Sequence, residues 1–306
     1  MNGKPLTISL ENCSRPGETI TIAARDFGGE GKPLALLHHA NGFCAGTWKL
    51  VADRLIDDFH VIAVDARGHG DSGDGAVPQD FALPHFVRDL VAVANVLIKE
   101  HGADRIEYGI GSSLGGIVTA AAGVAQPGLF GRVALLDPPI HPSADLVEEF
   151  GLDIEVGNPV KSTLVAQTLK RRRHWPSVEE PRQSWREKGM FASWSDQAFE
   201  LYLAECLRHH EDGSVALKCR PEVEAHIFGS AGSLGVREYA PLLAAPTLYV
   251  RASAGHIPAE FCRGTAGLFP NSCYEEIEGG HLLPLDSPDA TAARLLAFAG
   301  LSPEAR

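Results

Sequence analysis

The stretch of this chain best suited to chemistry is a run of small residues around one serine. Residues 111–115 read Gly-Ser-Ser-Leu-Gly, with Ser113 at the centre of a GxSxG pattern. A serine on a sharp turn from strand to helix takes strained backbone angles, and glycine two positions away on either side avoids a steric clash there. Such a turn exposes the hydroxyl in a cleft, so the pattern predicts that Ser113 is a nucleophile. An ordinary glycine-containing turn is the alternative.

A serine hydroxyl needs a base to remove its proton, and histidine suits this task because its usual pKa is close to neutrality. Among the 13 histidines, His281 follows two glycines in the loop after the last predicted strand. This position brings it to the same edge of a parallel sheet as Ser113, so His281 is the predicted base. His256, which also follows a strand, is the alternative base.

The imidazole in turn needs a carboxylate that orients it and stabilises its charged form. The loop after the predicted strand at 247–250 contains no Asp or Glu before Glu260, which falls inside a predicted helix. Asp137 instead ends the strand that follows the helix after Ser113, and two prolines come directly after it and stiffen the chain. Asp137 is therefore the predicted acid and Glu260 the alternative, although an aspartate here would also cap a loop.

Attack on a carbonyl creates a negatively charged oxygen that needs preorganised hydrogen-bond donors. The main-chain N–H of Leu114, at the start of the helix after Ser113, is one predicted donor. Residues 38–43, His-His-Ala-Asn-Gly-Phe, follow the predicted strand at 33–37 and contain small residues that let the backbone approach a substrate. The main-chain N–H of Asn41 is the second predicted donor, and an ordinary turn is the alternative.

The elements that must position these residues alternate along the chain. Two segments in which apolar and polar residues alternate predict edge strands, and short apolar runs predict buried strands of a parallel sheet. The eight predicted strands cover residues 7–10, 18–24, 33–37, 61–64, 105–110, 132–136, 247–250 and 273–277. Helical patterns between them cover residues 47–56, 84–100, 114–124, 258–268 and 288–299. The predicted fold class is α/β, a mostly parallel eight-stranded sheet with helices on both faces.

The alternation stops after the sixth predicted strand, where prolines follow one another. Helical patterns at residues 159–173, 195–209 and 220–229 predict a helical cap over residues 140–235, leaving residues 1–139 and 236–306 as the core domain. Four aromatic residues are predicted to line an apolar substrate pocket, with plain packing as the alternative: Phe43, Trp175, Trp185 and Trp194. The basic run at 171–174 is interpreted as a solvated helix face, the alternative being contact with an anionic substrate.

Composition narrows the range of partners. The chain has 27 Lys and Arg against 39 Asp and Glu, a formal charge of −12, which argues against nucleic acid and anionic membranes. The first residues lack the apolar segment of a signal peptide, and no apolar run approaches the roughly 18 residues that span a bilayer. The six cysteines show no CxxC spacing, so neither a metal site nor a disulfide framework is expected. We therefore expect a cytoplasmic protein that acts on a small and largely apolar molecule, and a homo-oligomer stays open.

Four motifs in this order resemble those of the α/β-hydrolase superfamily. Residues 39–43 are similar to its oxyanion loop, residues 65–72 to its DxRGxGxS segment, residues 111–116 to its nucleophile turn and residues 279–281 to its histidine loop. The resemblance implies a cap after the sixth strand, a serine–acid–histidine triad, and neither metal nor organic cofactor. It also implies a structural role for residues 65–72. Ala40 stands where the family usually has glycine, and an acid at Asp137 is similar to members that carry it after the sixth strand.

These observations predict a serine hydrolase that cleaves a carboxylic ester or lactone through an acyl-enzyme on Ser113. The serine disfavours the branches of the superfamily that use an aspartate nucleophile. Hydrolysis of a carbon–carbon bond and cofactor-free perhydrolysis use the same three residues and stay open. A receptor that binds a ligand without turnover is the alternative from another class.

Overall fold

The computed structural model describes residues 3–73, 75, 77–140, 159–230 and 239–301, and its strands and helices alternate along most of the chain. The strands are β1 (Lys4–Glu11), β2 (Thr19–Gly28), β3 (Leu34–His38), β4 (His60–Val64), β5 (Ile106–Ser112), β6 (Phe130–Leu136), β7 (His174–Trp175), β8 (Leu207–His209), β9 (Val215–Leu217), β10 (Thr247–Ala252) and β11 (Ser272–Ile277).

The α-helices are α1 (Lys49–Leu55), α2 (Leu83–His101), α3 (Leu114–Ala125), α4 (Pro159–Thr168), α5 (Glu179–Trp185), α6 (Asp196–Cys206), α7 (Pro221–Ser230), α8 (Ala259–Ala266), α9 (Leu283–Asp286) and α10 (Pro288–Phe298). Short 3₁₀ helices cover Ala45–Trp48, Pro78–Phe81, Gly189–Ser193 and Ala240–Leu242. Within the described ranges, none of the helices combines the length and the apolar character that a membrane span requires.

Eight strands form one sheet in the order β1-β2-β4-β3-β5-β6-β10-β11. Strand β2 pairs antiparallel with β1 and with β4, and the remaining pairs are parallel. This arrangement confirms the predicted mostly parallel eight-stranded sheet. Because parallel strands end at one edge, the loops that follow β3, β5, β6, β10 and β11 lie along the same edge.

Helices cover both faces of the sheet, as predicted. Strand β3 is buried throughout, and its side chains alternate between two apolar clusters. Leu36 packs with Leu90 of α2 and Ile117 of α3 on one face. Leu37 packs with Val51 of α1 and Leu295 of α10 on the other. The short runs that predicted buried strands are apolar because helices cover both faces of these strands.

The start of α3 approaches β3 closely because it lacks side chains there. A Cβ atom added to Gly115 would lie 2.1 Å from the carbonyl oxygen of His38. No real side chain fits at that distance, so glycine at this position lets the turn around Ser113 sit directly on the sheet edge. The second glycine of the GxSxG pattern therefore has a packing reason in addition to the turn itself.

Between β6 and β10 the chain leaves the main sheet and forms helices α4 to α7 together with a three-stranded antiparallel sheet in the order β7-β9-β8. This location is consistent with a cap after the sixth strand. The predicted boundary between residues 235 and 236 lies outside the described residues, the one between 139 and 140 borders the undescribed stretch 141–158, and the domain division stays a prediction.

Two helix predictions in this segment were too long, and its small sheet was not predicted. The helix predicted over residues 159–173 ends at Thr168, and the one predicted over residues 195–209 ends at Cys206, where the chain continues as β8. Strands of two or three residues are too short to show a period of two in the sequence. Their antiparallel pairing is a long-range contact that local patterns do not reveal.

Residues 65–72, the segment after β4, form a hydrogen-bonded brace under the sheet edge. The carboxylate of Asp65 accepts the main-chain N–H groups of Ala45 at 2.6 Å and Asp71 at 2.9 Å. Burial raises the pKa of Asp65 to about 6. Arg67, only 1% exposed, donates to both carboxylate oxygens of Asp89 at 2.7 and 2.8 Å and to the carbonyl of Asp80 at 2.8 Å. These contacts give the segment a structural role.

We expect Arg67→Met to destabilise the fold by about 3–5 kcal/mol, because it leaves the Asp89 carboxylate buried without its charged partner. Arg88→Met, at an exposed position of the same helix as Asp89, is the control and should change the free energy of unfolding by about 0.5 kcal/mol or less. Urea denaturation of both variants measures this difference. Equal stabilities of the two variants would contradict the assignment of Arg67 as a brace.

Candidate active site

The turn between β5 and α3 holds Ser113 in a strained conformation. Its φ is 54° and its ψ is −116°, angles that residues with a side chain rarely adopt. The main-chain N–H of Ser113 donates to the carbonyl of Leu136 at 2.9 Å, so β6 holds the turn in place. The two neighbouring parallel strands therefore fix the direction in which the hydroxyl points.

His281 lies in the loop between β11 and α9 and contacts both other predicted site residues. Its Nε2 lies 2.9 Å from Oγ of Ser113, and its Nδ1 lies 2.6 Å from Oδ2 of Asp137. An ionised carboxylate can only accept a hydrogen bond, so Nδ1 carries the proton and Nε2 is left to accept from the serine hydroxyl. The structure thus brings together the three side chains that the sequence analysis selected.

Asp137 directly follows β6 and is held by the end of β10. Its φ is 43°, and its N–H donates to the carbonyl of Val250 at 2.7 Å. Oδ1 accepts the main-chain N–H of Ala252 at 3.1 Å, while a Cβ atom added to Gly255 would lie 2.7 Å from Oδ2. The carboxylate is buried, with one oxygen facing β10 and the other facing His281.

The alternative base and the alternative acid lie outside this hydrogen-bonded chain. The ring of His256 stands 6.1 Å from the ring of His281, centroid to centroid, and is solvent-exposed. Glu260 lies in the first turn of α8 and is also exposed. The geometry therefore favours His281 and Asp137 over these alternatives.

The two predicted oxyanion donors lie on loops at the same sheet edge. Leu114 begins α3, where the first N–H groups of a helix have no partner within the helix. Asn41 lies in the loop after β3, here called the Asn41 loop (residues 39–46). Neither main-chain N–H is hydrogen-bonded to another residue in the described part of the chain. Their assignment as oxyanion donors stays a prediction.

The side chain of Asn41 is fixed at both ends, a feature that the sequence did not indicate. Its Nδ2 donates to the main-chain carbonyl of Glu224 in the cap at 3.0 Å, and its Oδ1 lies 3.2 Å from Nε2 of His69 in the core. Both contacts are buried. Residues 41 and 224 are far apart in sequence, so local patterns could not reveal that Asn41 bridges the core and the cap.

Three of the four predicted pocket aromatics lie in an aromatic cluster of the cap. The Trp175 and Trp185 rings meet edge to face at 5.0 Å, and Trp194 is only 2% exposed. Phe43, from the Asn41 loop, lies 6.3 Å from the Trp194 ring, and it also borders a small cavity beside the site. Nε1 of Trp194 donates at 3.1 Å to Asp286, which lies in α9, the short helix that follows the His281 loop. This packing supports the packing alternative for the tryptophans and ties the cap to the histidine loop.

The interpretation of residues 171–174 as a solvated helix face was wrong for Arg171. The helix α4 ends before this run, so its residues are not on a helix face. Arg171 is partly buried and forms an ion pair with the carboxylate of Glu224. Its guanidinium also interacts electrostatically with Tyr202. Arg172 does lie at the surface, where it pairs with Glu180. A buried partner elsewhere in the chain explains why the local charge pattern misled.

Buried histidines support the base of the Asn41 loop. The rings of His38 and His39 stack at 5.5 Å, and Nε2 of His39 accepts the main-chain N–H of Ala66 at 2.9 Å. Burial lowers the pKa of His38 to about 3 and the pKa of His39 well below its usual value, with the nearby His69 adding to both shifts. These side chains are therefore neutral in the folded protein.

A neutral buried histidine makes folding sensitive to acid. The folded pKa of His38 is depressed, so its contribution to stability is complete above its unfolded pKa of 6.5 and is lost as the pH falls toward about 3. Between pH 7 and pH 5 this histidine should account for about 2 kcal/mol of lost stability. We expect His38→Asn to reduce the loss by that amount in urea denaturation at the two pH values. The exposed His210→Asn is the control, and an equal effect of both variants would refute this prediction.

Comparison with known proteins identifies similar proteins by sequence and by fold. A family model described as "Alpha/beta hydrolase family" matches residues 35–294. A curated protein, (E)-2-((N-methylformamido)methylene)succinate hydrolase of Acinetobacter baylyi, is 32% identical over 109 residues, which are 36% of this chain and 38% of that protein. The match therefore spans well under half of that relative.

Solved structures resemble this one over almost the whole chain. The crystal structure of E-2-(acetamidomethylene)succinate hydrolase has a TM-score of 0.74 at 18% identity and covers 97% of this chain and 100% of its own. A thioesterase domain from the curacin biosynthetic pathway has a TM-score of 0.72 at 17% identity, with coverages of 96% and 100%. At these identities the likeness is one of fold.

Proposed function

Because the chain belongs to the alpha/beta hydrolase family, we propose that it is a serine hydrolase that cleaves carboxylic esters or lactones through an acyl-enzyme on Ser113. One observation carries the proposal: a continuous line of hydrogen bonds from Ser113 through His281 to the buried Asp137, with distances of 2.9 and 2.6 Å. Nucleophile, base and orienting carboxylate in this order are what acyl transfer requires.

The proposed reaction begins when His281 Nε2 takes the hydroxyl proton as Ser113 Oγ attacks the substrate carbonyl. The main-chain N–H groups of Asn41 and Leu114 stabilise the tetrahedral oxyanion. The carbon–oxygen bond then breaks, and the leaving alcohol receives the proton from His281. A water molecule, deprotonated by His281, attacks the acyl-enzyme and releases the acid and the free serine. Asp137 keeps the imidazole oriented and stabilises its positive charge throughout.

The surroundings of the site favour a small substrate with an apolar body. Ala40, Phe43 and Leu282 belong to one buried apolar cluster with the cap aromatics. Arg171 is already paired with Glu224, so it does not offer an anionic substrate a free charge. An uncharged acyl group fits such an environment better than a charged one.

Amide hydrolysis is a second candidate because two of the similar proteins carry names of amido-methylene succinates as substrates. The same serine, histidine and oxyanion donors act on an amide carbonyl, with an amine in place of the alcohol as leaving group. A panel with a p-nitrophenyl ester, a lactone, an N-acyl enamine and a β-diketone separates ester, lactone, amide and carbon–carbon bond hydrolysis.

Ser113→Ala should lower p-nitrophenyl acetate turnover by about 10⁴-fold or more, since it removes the nucleophile. The matched control is Ser112→Ala, which removes the neighbouring buried hydroxyl and should retain most of the activity. A fluorophosphonate probe should modify the wild-type chain at Ser113, as shown by peptide mass spectrometry. Undiminished turnover by Ser113→Ala would refute the proposal, and absence of labelling would favour a receptor that binds without turnover.

Asp137→Asn should lower kcat by about 10⁴-fold, because an amide at this position favours the wrong histidine tautomer. Glu260→Gln, which changes the alternative acid on α8, should leave kcat unchanged. Steady-state kinetics of the two variants decide between the carboxylates. Loss of activity in Glu260→Gln with full activity in Asp137→Asn would transfer the role to Glu260.

A further inference from the structure

We propose that two buried carboxylates of the cap, Glu224 and Glu205, are positioning residues that hold the Asn41 loop in its reactive conformation. This inference rests on the proposed function, because it concerns the loop that supplies one oxyanion donor. Neither glutamate contacts Ser113, His281 or Asp137 in the described hydrogen bonds and ion pairs. Their effect on the reaction must therefore pass through the loop.

Glu224, on α7, contacts two consecutive residues of the loop. Its main-chain carbonyl accepts the hydrogen bond from Asn41 Nδ2 at 3.0 Å. Its carboxylate packs on Gly42, where an added Cβ atom would lie 2.9 Å from the carboxylate carbon. Gly42 also has a φ of 83°, so the loop turns here in a conformation that favours glycine. The cap residue therefore fits closely against the turn beside the predicted oxyanion donor.

The Glu224 carboxylate is itself fixed by charge and packing. Arg171 forms an ion pair with it and also interacts electrostatically with Tyr202. The Tyr202 ring packs 5.4 Å from the ring of Phe43, the residue after Gly42. Burial raises the pKa of Glu224, while Arg171 opposes that shift. The charged pair and the tyrosine thus enclose residues 42 and 43 from the cap side.

Glu205, on α6, makes an equivalent contact at the other end of the loop. A Cβ atom added to Gly46 would lie 2.2 Å from its carboxylate oxygen Oε2. The same oxygen accepts from Arg25 of β2 at 3.0 Å. The next cap residue, Cys206, places its Sγ 3.6 Å from Sγ of Cys44. A buried carboxylate paired with an arginine therefore packs on a loop glycine at each of two positions.

Core and cap divide the contacts of the loop between them. The core holds His39 and Ala45, through the stacking of His39 on His38 and the bond from Ala45 N–H to Asp65. The cap contacts Gly42, Cys44 and Gly46, through Glu224, Cys206 and Glu205 respectively. The position of the Asn41 N–H relative to the nucleophile thus depends on how the cap packs. Because oxyanion donors stabilise the transition state more than the bound substrate, a displaced donor lowers kcat more than it raises KM.

The test compares Glu224 with Glu222, an exposed glutamate on the same helix. Glu224→Asp keeps the charge but withdraws the carboxylate from Gly42, and we expect kcat for p-nitrophenyl acetate to fall about tenfold with KM changed less than about twofold. Glu224→Gln keeps the shape and should retain kcat within about threefold. Glu222→Asp should match the wild type. An equivalent pair, Glu205→Asp and Glu205→Gln, should show the same order.

Which of the Asp and Gln variants has the lower kcat distinguishes a positioning role from a role in stability. A residue needed only for its ion pair with Arg171 would be damaged more by Gln, which loses the charge, than by Asp, which keeps it. Thermal unfolding of each variant identifies assay temperatures at which all of them are folded. Wild-type kcat in both Asp variants, or a rise in KM at constant kcat, overturns the inference.

Labelling by a fluorophosphonate distinguishes failure of the inference from failure of the proposed function. If the wild-type chain is labelled at Ser113 and hydrolyses the ester while the Asp variants behave like it, only the inference fails. If the wild-type chain is neither labelled nor active, the proposed function fails and the inference falls with it. Slower labelling of Glu224→Asp than of Glu224→Gln supports the inference independently of any chosen ester.

Discussion

The hydrogen bonds that join Ser113, His281 and Asp137 set the constraint on which the rest of the structure depends. The three residues are separated by 168 and 144 positions in the chain, yet their polar atoms lie 2.9 and 2.6 Å apart. Parallel strands meet this requirement because they bring the ends of β5, β6 and β11 to one edge of the sheet. The strained angles of Ser113 and Asp137 then aim the two side chains at the imidazole.

Much of the core was predictable because the residues that favour each strand or helix locally are also the residues that its packing in the sheet requires. Buried strands such as β3 and β4 are apolar at four of their five positions, and the residues of α3 are small enough for this helix to pack closely on the sheet, so both features are visible in the sequence. The site residues follow strand ends, and this placement is also readable from the chain. The acid was the hardest of the three to select, since the loop after β10 carries no carboxylate near His281.

The cap was less predictable because its structure depends on distant partners. Arg171 looks like a surface charge in the sequence, and only its contact with Glu224 shows otherwise. Strands β7, β8 and β9 are too short to leave a pattern. The tryptophans were predicted to line a substrate pocket with packing as the alternative, and composition alone does not distinguish a packed cluster from the wall of a pocket. Several buried charges among the described residues occur in pairs, as at Arg67 with Asp89 and Arg25 with Glu205, and such pairing cannot be inferred from the local sequence.

The contacts of the Asp137 carboxylate limit where in this fold the acid of the triad can be placed. Asp137 directly follows β6, but its carboxylate packs against the end of β10, in the space left open because Gly255 has no side chain. The strand that carries the acid and the strand beside which its carboxylate lies are therefore different. A side chain at position 255 would collide with the carboxylate of Asp137, so an acid at that position requires a smaller residue at position 137 as well. This coupling makes relocation of the acid a paired event in evolution and a two-site problem in design.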